Sequence, residues 1–149
     1  MTEPAPAFVI HHLEHGRAAL TAAEGRPVLL ISPPGAAGYQ GISWWQALVT
    51  ALRSEFPQAD FTPVLDCADC PGWALAALRM GVEKVLLCGE GPAFQAVREV
   101  AEQKAAWGEG RWGNDSLDLL GDSFPVRSCR DHGQRLWGRI VDAADPGPG

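Results

Sequence analysis

Three segments hold the residue types that could do chemistry: Ser32–Gly41, Asp66–Gly72 and Cys88–Pro92. In the first, Gly35, Gly38 and Gly41 are spaced three apart, between an apolar run and an amphipathic one. Glycines there let backbone N–H groups approach an anion, and the dipole of a following helix favours negative charge. A phosphate-type group would then be held by these amides and Ser32, with Tyr39 beside it. In the second, Asp66 and Asp69 offer carboxylates to a ligand hydroxyl or a cation, although Asp69 would also simply favour a helix start. Adding Cys88, the candidate ligand-binding set is Ser32, Gly35, Gly38, Tyr39, Asp66, Asp69 and Cys88, walled by Trp44 or Trp73. A plain turn leading into a helix accounts for the glycines with no ligand at all, and is the simpler account.

The cysteines suggest other chemistry. Cys67-Ala68-Asp69-Cys70-Pro71 lies where a strand should give way to a helix. A thiol capping a helix has its thiolate stabilised, as a redox site requires. Asp66 and Asp69 oppose that, because nearby negative charge raises a thiol pKa. Cys129-Arg130-Asp131-His132 supplies a second spaced pair, so Cys67, Cys70, Cys129 and His132 have the donor types of a zinc site. The two pairs stand much further apart than in compact zinc modules, and small buried cysteines that only pack remain the favoured reading. His11 and His15 have the i, i+4 spacing of a metal pair, but the sequence His11-His12-Leu13-Glu14-His15 lacks the glutamate placement of the helical zinc hydrolases, and a solvated helix face is expected instead. No metal and no cofactor is therefore assigned.

Lysine chemistry is excluded by position. Lys84 opens a strand at the end away from these segments and Lys104 comes late on a helix, so neither is placed for a Schiff base. No phosphate-binding Walker loop, nucleophile elbow or Ser/His/Asp arrangement is readable. Nothing identifies an enzyme.

The elements that position these residues alternate. The sequence predicts a helix over Phe8–Glu24, a buried strand over Val28–Ile31 and a helix over Ile42–Phe56, where Trp45, Leu48, Val49, Leu52 and Phe56 share one face. A strand over Phe61–Cys67, a helix over Pro71–Met80, a strand over Val85–Cys88 and a helix over Pro92–Trp107 follow, both helices opening on proline. Beyond them come a loop over Gly108–Gly113, short strands over Leu117–Leu120 and Pro125–Arg127, and a last helix over Gln134–Ala143.

Short, wholly apolar strands alternating with helices imply parallel pairing through right-handed crossovers. The expectation is one α/β domain over residues 8–143, three-layered or half-barrel-like, with a mainly parallel sheet of three to five strands. Residues 1–7 and 144–149 are expected to be flexible termini. Parallel pairing gathers the three chemical segments at the carboxyl ends of the strands, where such sheets bind ligands.

The chain has 149 residues and a formal charge of −6, which speaks against nucleic acid or an anionic membrane as partner. No run approaches the roughly 18 apolar residues of a membrane span, so a cytoplasmic protein with reduced thiols is expected. Six tryptophans are many for this length, and tryptophan suits subunit interfaces as well as cores. The partners expected are a small anionic ligand and a second copy of the chain, with Trp44, Trp45 or Trp107 between copies.

Two resemblances follow from these motifs. The run Gly35-Ala36-Ala37-Gly38-Tyr39-Gln40-Gly41 resembles the loop of extended short-chain dehydrogenases and epimerases, which implies a dinucleotide with Asp66 on its ribose. Ser32-Pro33-Pro34 before the first glycine, and the absence of a Tyr-x-x-x-Lys pair, depart from that family. Over roughly residues 8–100, Ser32 to Tyr39, Trp44-Trp45 and Leu65 to Asp69 together resemble a group of short bacterial α/β proteins. That likeness implies the domain and its limits, and no chemistry.

Overall fold

A computed structural model describes residues 5–104, 107–108, 116–123 and 125–144. The elements are β1 (Ala7–Val9), α1 (Leu13–Ala23), β2 (Val28–Ile31), α2 (Ala36–Tyr39), α3 (Ile42–Glu55), β3 (Phe61–Asp66), α4 (Pro71–Arg79), β4 (Val85–Leu86), α5 (Pro92–Gln103), β5 (Trp107–Gly108), β6 (Leu117–Asp118) and α6 (Pro125–Ala144). The strands form one sheet in the order β5-β4-β3-β2-β1-β6, and every pairing is parallel.

That order decides where the helices go. From β1 to β5 each crossover steps to the next neighbour in the same direction, so right-handed connections put α1, α3, α4 and α5 on one face. Helix contacts run in the matching order: α6 against α1, α1 against α3, α2 against α4, and α4 against α5. Of the two expected arrangements, this strand order is the one a half-barrel has. Phe8, Leu30, Leu65 and Val85 point from the strands into the main core, meeting Leu20, Trp45, Leu52 and Leu78 of the helices. Alternate strand residues point the other way, and Ala7, Leu29, Ile31, Val64 and Leu86 form a second buried cluster that includes no helical residue among those described.

Several elements differ from expectation. The parallel α/β sheet is as expected, and with the two-residue strands β5 and β6 it has six strands among the described residues. The helix expected over Phe8–Glu24 is a strand, a turn and a shorter helix. Phe8 and Ile10 face the helical core while Ala7 and Val9 join the second cluster, a period of two that three residues are too short to declare in sequence. The sheet's hold also reaches before residue 8, because the Leu29 N–H donates to the Pro6 carbonyl at 2.8 Å. The helix from Pro92 stops at Gln103, leaving Trp107 to open β5. Pro125–Arg127 is no strand: Pro125 opens the long helix α6, which runs through the segment assigned only from Gln134. The loop expected over Gly108–Gly113 meets β5 at Gly108 and otherwise lies outside the described residues, as do residues 1–4 and 145–149 of the termini.

Pro63 shows how closely strand lengths are matched. Leu65 and Cys67 donate their N–H groups towards β4, to Lys84 and Leu86. Pro63, two residues earlier, faces the same side, but β4 pairing starts only at Leu65↔Val85. Its missing N–H therefore leaves no ladder bond unmade, and proline is tolerated in an interior strand.

Candidate functional site

Because all strands point one way, their carboxyl ends share a rim. Val28–Ile31, Phe61–Asp66 and Val85–Leu86 lie side by side there, as the sequence implied. Ser32 leaves β2 at 1% exposure. Its N–H continues the ladder to the Val64 carbonyl at 2.9 Å. Its Oγ then accepts the Asp66 N–H at 2.8 Å and donates to the Pro33 carbonyl at 3.3 Å. The hydroxyl thus extends the β2–β3 ladder by one bond where the backbone of β2 has already turned away.

Asp66 closes the next link. Its Oδ1 accepts the Gly35 N–H at 3.1 Å and the Ala68 N–H at 2.8 Å. Ala68 is held at φ 50°, a left-handed conformation uncommon outside glycine, and its carbonyl accepts the Cys88 N–H at 2.8 Å. Ser32, Gly35, Asp66, Ala68 and Cys88 therefore form one hydrogen-bonded line across the ends of β2, β3 and β4. Among the described residues, Asp66 Oδ2 has no protein partner.

The glycines serve this line in different ways. Gly35 caps α2 at φ 72°, where a side chain would be strained. Its amide faces the chain's own carboxylate, so the first donor of the expected anion loop is already engaged. Gly38 is required for packing: a Cβ there would lie 2.2 Å from the Trp73 ring. The indole of α4 rests on the backbone of α2, beside Tyr39, whose ring edge lies 4.0 Å from the position a Gly35 Cβ would take. Tyr39 and Trp73 are nonetheless 63% and 39% exposed. Asp69 and Cys88 are exposed at the same rim. Of the two walls expected, Trp73 is present, whereas Trp44 packs against Trp45, with ring centroids 5.9 Å apart. Trp45 is 1% exposed and belongs to the core, so it is not available between subunits.

The charge of the rim follows from position. Segments 10–12, 32–41, 66–72, 87–92 and 117–123 contain Asp66, Asp69, Glu90, Asp118 and Asp122 but no lysine or arginine. Arg26, Arg53, Arg79, Lys84 and Lys104 fall at the starts of strands or the ends of helices, towards the opposite rim. These described segments therefore carry only negative formal charge.

Two of the four thiols, Cys67 and Cys129, are buried and poorly suited to redox chemistry. Burial, then the neighbouring Asp66 and Cys70, pushes the Cys67 thiol up to about 12. Cys129 is likewise pushed up to about 12, by burial and then by Asp122. Cys70 does cap α4, as expected. Among the described residues no three or more His, Cys, Asp or Glu side chains are grouped to hold a metal ion. Cys67, Cys70, Cys129 and His132 therefore do not converge.

Further along the rim the sequence missed a pair. His11 Nε2 and Asp118 Oδ1 are 2.7 Å apart, 107 residues apart in sequence. His15, expected on a solvated face, is 5% exposed. Its burial follows from α1 starting at Leu13, which turns position 15 inward. Away from the rim, a cleft of about 200 Å³ lies between α3 and the α4–β4 turn, lined by Trp45, Gln46, Arg53, Pro63 and Glu83 among others. No helix among those described is long and apolar enough to cross a membrane.

Comparison of the chain with protein-family models found no match, and comparison with curated proteins found none either.

Proposed function

We propose that this α/β domain binds a small molecule at the rim formed by the ends of β2, β3 and β4, and that the molecule presents hydroxyl or amine donors to Asp66. The observation behind this reading is the fixed carboxylate. Two backbone amides orient Asp66 through Oδ1 and leave Oδ2 as an acceptor. Tyr39 and Trp73 stand exposed beside it and supply flat apolar surface. Sites that bind small molecules combine such surface with a few well-placed polar groups.

The charge balance selects the ligand class. Within segments 32–41, 66–72 and 87–92 a phosphate would meet Asp66, Asp69 and Glu90 and no lysine or arginine, and the Gly35 amide it needs is taken. A neutral polyol or an amine meets no such penalty, and an amine would also gain from the faces of Tyr39 and Trp73. These features favour a donor-bearing ligand over the phosphate-type one expected from the glycine spacing.

Thermal unfolding with glycerol, ribose, ethanolamine and inorganic phosphate as separate probes tests the reading. A probe present at 100 times its Kd stabilises by about 2.7 kcal/mol, which a melting curve resolves. The expected result is stabilisation by a polyol or amine that disappears in Asp66→Asn, which keeps the Oδ1 acceptor but puts a donor in place of Oδ2. Stabilisation by phosphate alone, or an amine effect indifferent to Asp66→Asn, would refute it.

A further inference from the structure

The turn from β1 into α1 contains His11 and His12, and the first turn of α1 adds His15, at the end of the sheet where β6 is attached. Their contacts form a chain. His15 Nδ1 accepts the His11 backbone N–H at 3.0 Å, so that nitrogen has no proton of its own and the ring N–H is on Nε2. The His12 ring lies against His15, with centroids 3.8 Å apart. Beyond them, His11 Nε2 meets Asp118 Oδ1, which also accepts the Leu120 N–H at 2.9 Å. The backbone pairing at this edge is short, although Leu119 is buried in the main core. β6 is only Leu117 and Asp118, in register with Phe8 and Val9, followed by a Leu119 N–H bond to the Val9 carbonyl at 3.2 Å.

We propose that the three histidines form a pH-sensitive clasp, closed while His15 is neutral, that loosens β6 from β1 when His15 takes up a proton. A protonated Nδ1 is a donor, so it would face the His11 N–H donor to donor, and the bond at 3.0 Å is lost. The His11 backbone must then shift, and the ring that reaches Asp118 shifts with it.

The surroundings hold His15 neutral near pH 7. Its pKa is lowered from the ordinary value, first by burial, then by His12 and His11, against smaller raising effects of Asp118 and Asp122. Its place in the first turn of α1 adds the positive end of the helix dipole. From the other packed elements, α3 meets α1 through Leu52 against Gly16, with its Glu55 already bridged to Arg17, and α6 brings His132 against Phe8. For a base whose folded pKa is depressed, the stabilisation is complete above the unfolded value, about 6.5, and declines as pH falls below it.

Amide hydrogen exchange on the full chain, from about pH 7.5 to about pH 5 and corrected for intrinsic rates, tests the clasp. Leu119 and Leu120 should exchange roughly tenfold faster at the acid end, while the Ser32 amide bonded to Val64 stays protected. His15→Asn places a non-titrating oxygen where Nδ1 sits and should abolish the acceleration. His12→Gln, at an exposed position, removes a charge that opposes His15 protonation, so the midpoint should move to higher pH. The clasp is overturned by exchange at Leu119 and Leu120 that ignores pH, or by acceleration shared equally with Ser32. An unmoved midpoint in His12→Gln also overturns it, and that variant decides alone should His15→Asn not fold.

Discussion

Replacing Ser32 by alanine is the sharpest probe of how the rim is built. The hydroxyl is buried and is the partner of the Asp66 N–H at 2.8 Å. Truncation leaves that part-buried N–H at the ends of two strands without its side-chain acceptor. An unsatisfied buried donor costs about 1–3 kcal/mol, whereas the void left by one oxygen adds little. The second bond, to the Pro33 carbonyl at 3.3 Å, is long and contributes less. A loss near 2 kcal/mol, at roughly 2–4 °C per kcal/mol for a chain of this size, lowers the melting temperature by about 4–8 °C. Urea unfolding gives the free energy directly, with an unchanged slope expected because the unfolded surface is the same. Asp66→Asn in the same background supplies the control, since both residues belong to one network and their effects should fall short of additivity by about 0.5 kcal/mol or more. A Ser32→Ala protein within about 0.5 kcal/mol of wild type would refute the ladder-extension argument, because the Asp66 amide would then need no side-chain acceptor.

Two further predictions rest on single residues. With Cys67 and Cys129 buried and their thiols pushed up to about 12, a thiol reagent on the native protein should label exposed Cys88 first and reach Cys67 and Cys129 only on unfolding; mass spectrometry of labelled peptides decides this. The same shifts mean that stability is intact below the unfolded thiol pKa, near 9, and declines as pH rises past it, because only the unfolded chain then ionises freely. Glu24 caps α1 at φ 53° without being glycine, so Glu24→Gly should raise stability by about 0.5–1 kcal/mol in urea unfolding, and a loss would count against backbone strain there.

Much of the fold was legible because it rests on local signals. Pro71 and Pro92 marked helix starts to the residue, and the apolar runs at Val28, Phe61 and Val85 marked strands. Where reading failed, the element was too short for its period to show. Three residues from Ala7 cannot display alternation, and Pro125 opens a helix as readily as it flanks a strand. The candidate residues fared unevenly. Ser32, Gly35, Asp66 and Cys88 do fall in one hydrogen-bonded line, with Gly38 and Tyr39 beside it. What each does there was not readable: the glycine spacing suggests an anion loop, yet the anion that meets Gly35 is Asp66, 31 residues further along the chain.

By itself, then, the sequence determined the types of the central elements from β2 to α5, their parallel sense and hence the gathering of three strand ends at one rim, because hydrophobic period, proline and glycine act within a few residues of themselves. Tertiary structure alone decided which face the helices cover, that β6 returns to lie beside β1, and that His11 meets Asp118 across 107 positions. Those outcomes depend on contacts between distant segments, whose geometry no local pattern encodes. The same holds for the fates of Gly38 and Trp45: one is glycine because an indole from another helix lies on it, the other an aromatic withdrawn into the core.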